Sequence, residues 1–294
     1  SRIDLGANLT ITDDFDLGAN TMILTGVNTL DGGEITLNNA NSLIQTKSAC
    51  TIGNDLDITA DSNANKGLDI DVSGATISGD LSINADALLN IATNTTLFYT
   101  GAKISTSTNN LTITGVADSS ILRSSNSVEI DAGGTLTIDG DCALRTPITV
   151  NGTGTCTLAL GSNTLTYDTS PAAILDVGAR TLAITGTGEL SNNATGSIRL
   201  DNTNSIVTLG GGTVGHVTQN ADAAANCGIS AGTDSVIDTL VINQDTRLIG
   251  TAKTTVTNGF NIGANTLNIG STGTLDCGGN VTLDNADSRL LFSA

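Results

Sequence analysis

The sequence predicts an all-β protein, and more specifically a single-stranded parallel β-helix, or β-solenoid. Three observations carry this prediction. Short Leu-x-Ile segments recur along the chain, and each alternates apolar and polar residues with the period of a strand that buries one face. Gly, Asn and Asp, which accept the positive-φ conformations of turns, follow these segments. A longer unit of sequence also returns several times, with no helical periodicity between its copies.

The short segments share Leu and Ile two positions apart. They lie at residues 9–11, 56–58, 68–70, 81–83, 111–113, 136–138, 182–184 and 267–269. The strands of a β-sandwich are usually longer, and sandwich cores rely on aromatic residues, which make up only 2% of this chain. The pattern also stays the same from end to end, as expected when each coil contacts only its neighbours. These features favour a solenoid over a sandwich.

The longer unit begins as Leu17-Gly-Ala-Asn-Thr, with counterparts at 160–164, 177–181 and 262–266. Three of the four copies continue into a second similar stretch, found at 35–39, 198–202 and 281–285. The match is degenerate and its spacing is not fixed. We therefore expect degenerate coils of roughly 20 residues each, giving roughly 14 coils over the chain.

The chain reads as one domain, a continuous solenoid over residues 1–294. No Pro/Ser-rich linker divides it, and its two prolines, Pro147 and Pro171, fall between predicted strands. One stretch, residues 219–226, interrupts the alternating pattern of apolar and polar residues and contains Asn, Asp and a run of Ala. We expect a small loop insertion around 219–232, formed by a loop or a single helical turn.

Charge and hydropathy exclude several classes of partner. The 29 Asp and Glu exceed the 11 Lys and Arg, so the formal net charge is −18. Nucleic acid requires a basic surface, and anionic lipid attracts one, so neither is an expected partner. No apolar run approaches the ~20 residues that span a bilayer, so we expect no membrane span. Only 14% of residues are charged, against about 25% in ordinary globular domains.

The Leu-Thr-Ile-Thr-Gly texture at 111–115 and the Gly-Ala-Asn-Thr units resemble the β-helical passenger and stalk regions of bacterial and archaeal surface proteins. Autotransporters and filamentous-haemagglutinin-like adhesins are examples. The resemblance covers essentially the whole chain. It implies secretion, an extracellular location at the cell surface, and a structural or adhesive role. It carries over no active-site residue.

Two motifs invite a catalytic or cofactor interpretation, and we assign neither. The stretch 210–215 formally matches G-x-G-x-x-G, but a dinucleotide site also needs a helix that begins at the last Gly. The sequence after it will not sustain a helix, so we interpret the glycines as a turn between coils. His216 is the only histidine, and we interpret it as a turn residue. We therefore expect a protein that is not an enzyme and has no cofactor.

Acidic pairs are the remaining candidates, because many β-helix proteins are polysaccharide lyases or hydrolases. They are Asp13, Asp14, Asp16, Asp55, Asp57, Asp69, Asp71, Asp139 and Asp141. The members of an Asp-x-Asp pair lie on the same side of a strand and would suit a structural Ca²⁺ ion. The same alternation makes them ordinary solvated positions. Sugar clefts usually offer stacking aromatics, and Phe98-Tyr99 is the only adjacent aromatic pair.

The five cysteines are widely spaced and contain no C-x-x-C, which excludes the usual zinc and redox motifs. They are Cys50, Cys142, Cys156, Cys227 and Cys277. Two interpretations stay open. The cysteines are either small buried apolar residues or partners in a disulfide, within the chain or between subunits.

Neither terminal stretch resembles the polar or helical cap that usually protects a solenoid. The residues that would form the exposed ends are Ile3, Leu5, Leu9, Ile11, Val281, Leu283, Leu290, Leu291 and Phe292. We expect a secreted subunit that stacks head to tail with copies of itself into a filament or sheath. The alternatives are the stalk or passenger of a longer cell-surface adhesin, with glycans or a host surface as partners, and a polysaccharide lyase or glycoside hydrolase.

Overall fold

The computed structural model describes residues 1–26, 29–116, 120–124, 126–167, 174–192, 197–270 and 273–293. These residues form a parallel β-solenoid of about 12 turns, with about 23 residues per turn and no helix. The predicted fold class is confirmed. The turns are longer than the roughly 20 residues expected.

Contacts between residues divide the chain into two units, Ser1–Pro147 and Ile148–Ala294. The strands of the first unit are β1 (Arg2–Leu5), β2 (Leu9–Ile11), β3 (Phe15–Asp16), β4 (Thr21–Leu24), β5 (Thr29–Gly32), β6 (Ile35–Leu37), β7 (Leu43–Thr46), β8 (Thr51–Ile52), β9 (Leu56–Ile58), β10 (Gly67–Ile70), β11 (Ala75–Ile77), β12 (Leu81–Ile83), β13 (Ala87–Ile91), β14 (Thr96–Tyr99), β15 (Ile104–Ser105), β16 (Asn110–Thr114), β17 (Ile121–Ser124), β18 (Val128–Asp131), β19 (Thr135–Asp139) and β20 (Cys142–Arg145).

The strands of the second unit are β21 (Ile148–Asn151), β22 (Thr155–Gly161), β23 (Thr164–Tyr167), β24 (Ile174–Asp176), β25 (Thr181–Gly186), β26 (Glu189–Asn192), β27 (Ser197–Leu200), β28 (Ile206–Gly210), β29 (Thr213–Gln219), β30 (Gly228–Ala231), β31 (Ser235–Ile242), β32 (Thr246–Gly250), β33 (Lys253–Val256), β34 (Phe260–Asn261), β35 (Thr266–Ile269), β36 (Thr274–Cys277), β37 (Val281–Thr282) and β38 (Arg289–Phe292).

In the first unit a turn has three strands, which we call its first, second and third strand. The first strands form one parallel sheet in the order β1-β4-β7-β10-β13-β16-β19. The second strands stack as β2-β5-β8-β11-β14-β17-β20. The third strands stack as β3-β6-β9-β12-β15-β18.

The second unit repeats this arrangement, with its first strands in the order β22-β25-β28-β30-β32-β35-β38. Two of its strands are long enough to serve as second and third strand at once. Strand β29 pairs through Val214 with β26 and through Val217 with β27. Strand β31 pairs with β29 along both parts of the turn. In the next turns, β33 pairs with β31, β36 pairs with β33, and β37 pairs with β34.

The core consists of aliphatic residues that point inward at alternate positions and stack on their equivalents in the next turn. Leu111 pairs in register with Leu136 and Ile113 with Ile138, and all four are at most 1% exposed. Between them, Thr112 pairs with Thr137 on the outer surface. Aliphatic side chains of similar size can stack on one another at the spacing of adjacent strands, ~4.8 Å. This explains why Leu, Ile and Val dominate the core.

Turn length varies because the connections between strands vary, while the strands stay short. Leu248 stacks on Ile229, 19 residues earlier, whereas Thr181 stacks on Thr155, 26 residues earlier. This variation explains the unfixed spacing of the sequence repeat. In the stretch 219–232, β29 ends at Gln219 and β30 covers Gly228–Ala231, so residues 220–227 form the connection. It is as long as the connection 59–66 between β9 and β10.

Candidate functional site

The recurring sequence unit forms a turn that is hydrogen-bonded to the turn before it. The hydroxyl of Ser42 donates to the carbonyl oxygen of Gly18 and accepts from the backbone nitrogen of Asn39 at 3.2 Å. The Asn39 side chain in turn accepts from the backbone nitrogen of Asn41 at 3.0 Å. Gly18 has a φ of 56°, a left-handed conformation that favours glycine. We call this arrangement the serine clasp.

In the part of the chain that the structure describes, the serine clasp occurs three times, once for each full copy of the sequence unit. The hydroxyls of Ser205 and Ser288 donate to the carbonyl oxygens of Gly178 and Gly263, as Ser42 does to Gly18. Both glycines are again left-handed, with φ of 56° and 60°. The repeat seen in the sequence therefore marks a structural joint between turns.

The acidic pairs predicted as cation ligands also serve the backbone. The carboxylate of Asp55 accepts from the backbone nitrogen of Asp80 at 2.8 Å, and that of Asp80 accepts from the backbone nitrogen of Ala102 at 2.6 Å. Asp57 accepts from the amide of Asn84 at 2.7 Å. Each carboxylate thus satisfies a donor of the following turn, which a neutral aliphatic residue would leave to water.

This use of acids recurs in both units. The donors are backbone nitrogens and the acceptors are carboxylates one turn earlier, in the pairs Glu34–Asp14, Asp86–Asp61, Asn110–Asp86, Asp245–Asp222, Lys253–Asp234 and Thr266–Asp245. The sequence carried a signal for these joints, since an Asp or Asn precedes many of the strands by a few residues. Assigning donor and acceptor from the sequence would have required the number of residues per turn, which the variable spacing of the repeat does not give.

Asp69 is an outward residue of β10, beside β7, and Asp71 directly follows β10. Asp69 accepts from the Gln45 amide at 2.6 Å, and Asp71 pairs with Lys47. Burial raises the pKa of Asp69, and the Gln45 hydrogen bond opposes that rise. Asp139 is exposed at the end of β19. Within the described residues, no group of three or more His, Cys, Asp or Glu is close enough to hold a metal ion.

The histidine of the glycine-rich stretch lies in a strand, whereas Gly211 and Gly212 connect β28 to β29, as expected of a turn between coils. Gly210 ends β28, and residues 213–219 form β29, which contains Gly215 and His216. His216 is half-buried and stands in register with Thr239 of β31. The interpretation of His216 as a turn residue was therefore wrong. The buried Val214 and Val217 on either side belong to the two parts of β29 that pair with β26 and β27, so the strand continues through His216.

The five cysteines carry thiols and form no disulfide. Cys50, Cys142 and Cys156 are buried, and Cys227 and Cys277 are partly exposed. Burial raises the pKa of the Cys50 thiol to about 11. Burial also raises the pKa of Cys277, with the neighbouring Asp276 carboxylate adding to it. The thiolate, which is the reactive form, is therefore disfavoured at both positions.

The two tyrosines have a structural role that the sequence did not reveal. Tyr99 and Tyr167 are each 1% exposed and end second strands. The Tyr99 hydroxyl accepts from the backbone nitrogen of Leu81 at 3.1 Å. Phe98, its neighbour, points outward, and the guanidinium carbon of Arg123 lies 6.0 Å from the centre of its ring. The aromatic pair is therefore divided between core and surface.

The strongest candidate for a contact surface is the edge of the last described turn. Leu290 and Phe292 of β38 stand over the buried Leu267 and Ile269, so both occupy inward positions. Phe292 is nevertheless 74% exposed. Leu291 lies between them and stands over Asn268, so it points outward. Three residues of this strand were predicted to form an exposed end. Leu290 and Phe292 continue the stack of inward core residues, and Leu291 does not.

The other strands at this edge show the same pattern. Leu275 and Cys277 stand over the buried Thr254 and Val256, and Val281 stands over the buried Phe260. Leu283 follows and is 49% exposed. We call the inward residues of these strands the upper edge, namely Leu275, Cys277, Val281, Leu290 and Phe292.

The first turn offers a corresponding set of residues. Ile3 and Leu5 of β1 stand in register with the buried Met22 and Leu24. The others are Leu9, which pairs with the buried Leu30, together with Ile11 and Phe15. We call Ile3, Leu5, Leu9, Ile11 and Phe15 the lower edge.

Comparisons with known proteins supply no relative. A scan of protein-family models, a search of curated proteins and a search of solved structures each give no match. The resemblance to autotransporter passengers and haemagglutinin-like stalks is therefore not confirmed by a family. No helix of the described residues is long and apolar enough to cross a membrane.

Proposed function

We propose that this chain is a secreted structural protein of the cell surface, without enzymatic activity, which assembles head to tail with copies of itself. The upper edge of one copy receives the lower edge of the next, and parallel β-pairing continues across the junction. The single observation that carries the proposal is that inward, core-type side chains are only partly covered at the upper edge, with Phe292 74% exposed.

The first strands supply the central contact. In each edge strand the inward residues are two positions apart. They are Leu290 and Phe292 in β38 of one copy, and Ile3 and Leu5 in β1 of the next. Placing β1 of the next copy on β38 sets Leu290 against Ile3 and Phe292 against Leu5. Parallel pairing then continues from β38 of one copy to β1 of the next, which is the usual fate of an exposed parallel edge.

The second and third strands fit the same placement. Leu275 and Cys277 of β36 meet Leu9 and Ile11 of β2, and Val281 of β37 meets Phe15 of β3. The contact joins two different surfaces, and because each added copy continues the stacking of turns in the same direction, repetition yields an open filament rather than a ring. Burying these side chains contributes about 25 cal/mol for each Å² of apolar surface removed from water.

Charge directs the contact to the edges. The formal net charge of −18 makes side-by-side approach of two copies unfavourable. The edges are mainly apolar, and the salt bridge between Arg2 and Asp4, at 2.7 Å, lies outward of the contact. Salt screens the repulsion over ~10 Å at 0.1 M, so assembly should increase with ionic strength.

The test compares two variants that differ by one position in β38. Phe292→Asp places a charge in the proposed junction, whereas Leu291→Asp places the same charge on the outer surface of the same strand. Negative-stain microscopy and light scattering of the wild type should show filaments that lengthen with protein and salt concentration. Phe292→Asp should abolish them, and Leu291→Asp should retain them.

Monodisperse wild-type protein at all concentrations and salt levels would overturn the proposal. That result would favour the stalk of a longer adhesin, in which further turns of the same polypeptide cover the edges. Equal loss of filaments in both variants would also contradict the junction. Immunogold labelling of intact source cells tests the surface location, and label confined to the interior would exclude it.

A further inference from the structure

A groove of about 330 Å³ lies on the outer surface of the first-strand sheet of the first unit. Its floor is formed by outward residues of β13 and β16, namely Leu88, Asn90, Thr112 and Thr114. The connection 59–66 forms one wall through Ser62, Ala64 and Asn65. The volume is near the lower end of the ~300–1,000 Å³ range of small-molecule sites.

The wall is held in place by backbone hydrogen bonds to both neighbouring turns. The backbone nitrogen of Ser62 donates to the carbonyl oxygen of Asp86 at 2.8 Å, and that of Asn63 donates to Ala40 at 2.9 Å. Asn65 adopts a left-handed φ of 62°, which turns the chain back towards β10. The groove is therefore formed before any ligand arrives, which lowers the entropic cost of binding.

The side chains of the floor are already oriented. The Asn110 amide donates to the Thr112 hydroxyl at 3.2 Å, and its oxygen accepts from the Thr137 hydroxyl at 2.8 Å. Asn90 and Thr114 add a further amide and hydroxyl, and Leu88 adds an apolar patch between them. Such a surface offers donors, acceptors and an apolar contact within one groove.

The charges of the lining select among ligands. Asp86 and Asp139 are the charged residues that line the groove, and both are acidic. Phosphates, sulfates and uronic acids would be repelled by these carboxylates. A ligand with many hydroxyl donors is instead attracted, since an ionised carboxylate is an acceptor only.

We propose that this groove binds a short segment of a neutral glycan, with sugar hydroxyls on Asn90, Asn110 and Asp139 and an apolar sugar face on Leu88. The binding is independent of the head-to-tail assembly, because it uses the outer surface and no residue of the upper or lower edge. A filament of such chains would present one groove for every copy.

The experiment uses saturation-transfer difference NMR with the full chain and three neutral probes, cellotetraose, maltotetraose and mannotetraose. Tetragalacturonate serves as the anionic comparison. At least one neutral probe should bind saturably, and tetragalacturonate should not. Thr112→Arg fills the floor and should weaken binding about tenfold, equivalent to ~1.4 kcal/mol.

Thr208→Arg is the matched control, because Thr208 is an outward residue of a first strand in the second unit. It should leave the affinity unchanged. If Thr112→Arg does not fold, Thr112→Val removes the hydroxyl at nearly constant volume and should still weaken binding. No saturable signal from any neutral probe would overturn the proposal. Equal weakening by Thr208→Arg, or equal binding of tetragalacturonate, would do the same.

Discussion

The hydroxyl of Tyr167 accepts a hydrogen bond from the backbone nitrogen of Ile148 at 2.9 Å and donates one to the carbonyl oxygen of Ile174 at 3.1 Å. One buried side chain therefore satisfies backbone groups on two third strands, β21 and β24. Tyr99 has the equivalent place in the first unit, where it accepts from Leu81. Both hydroxyls belong to side chains that are only 1% exposed.

Replacing Tyr167 with Phe should destabilise the fold by about 1–3 kcal/mol, because it leaves the Ile148 N–H and the Ile174 carbonyl buried without this partner. Tyr99→Phe should cost less, since it leaves one group. Urea unfolding followed by circular dichroism measures both changes. The control is Thr76→Val, which removes a half-exposed outward hydroxyl. Equal stability of Tyr167→Phe and the control would refute the role of the hydroxyl.

The two tyrosines also predict a loss of stability at high pH. Burial raises the pKa of Tyr99 and of Tyr167 to about 12, against an ordinary value near 10. The folded protein thus favours the neutral phenol, and its stabilisation is complete below pH ~10 and is lost as the pH rises towards ~12.

Each tyrosine accounts for up to about 3 kcal/mol of this loss. The free energy of unfolding should fall between pH 10 and 12 in the wild type and fall less in the Tyr99→Phe, Tyr167→Phe double variant. Phenolate absorbance should titrate well above pH 10 while the protein remains folded. Titration at the ordinary value in the folded state would contradict the prediction.

The serine clasps should stabilise the turns that carry the sequence repeat. Ser42→Ala and Ser205→Ala each remove a hydroxyl that is both donor and acceptor, and we expect losses of about 1–2 kcal/mol. Ser288→Ala should cost less, because its turn is more exposed. Ser82→Ala, at an exposed outward position of β12, is the control and should change little. A ranking with Ser288 as the most sensitive site would count against this explanation.

The hydrogen bonds from backbone nitrogens to carboxylates of the preceding turn, which we call the carboxylate joints, depend on an oxygen acceptor more than on charge. Asp80→Asn keeps an oxygen that can accept from the backbone nitrogen of Ala102, whereas Asp80→Ala does not. We expect the alanine variant to lose about 1 kcal/mol and the asparagine variant to lose less than half of that. Thermal unfolding compares the two, and equal losses would show that the negative charge, rather than the acceptor, provides the stability.

Thiol labelling should follow burial and report on assembly. At pH 8 the buried Cys50, whose pKa burial raises to about 11, should react with a maleimide only after unfolding. Cys227 and Cys277 are partly exposed and should react first. Because Cys277 belongs to the upper edge, its labelling should slow in filaments while that of Cys227 does not. Unchanged labelling of Cys277 on assembly would argue against the proposed junction.

Several features of the fold could be predicted from the sequence because they depend on local patterns. The alternation in segments such as 111–113 and 267–269 predicted inward Leu and Ile, and these residues form the buried columns. Turn length was underestimated because loop lengths vary from turn to turn, and no local rule fixes them. His216 was misassigned for a related reason, since the glycines before it indicated a turn, and that turn ends at Gly212, four residues earlier.

The candidate groove could not be read from the sequence, because its residues come from four separate segments, the connection 59–66 and the strands β13, β16 and β19. The same holds for the carboxylate joints, in which donor and acceptor are 19 to 25 residues apart. In each case the partners meet only when the turns stack.

The sequence by itself determined the fold class, the direction of each strand's side chains and the acidic surface, because alternation, turn residues and net charge act locally or through composition. The tertiary structure decided which residues meet across turns. Tyr167 reaches Ile148, Ser42 reaches Gly18, and Asp80 reaches Ala102, only because parallel stacking brings a residue beside one a full turn away. The number of residues between such partners depends on the length of every loop in the turn. These lengths together are determined by the packing of the core and not by any single segment.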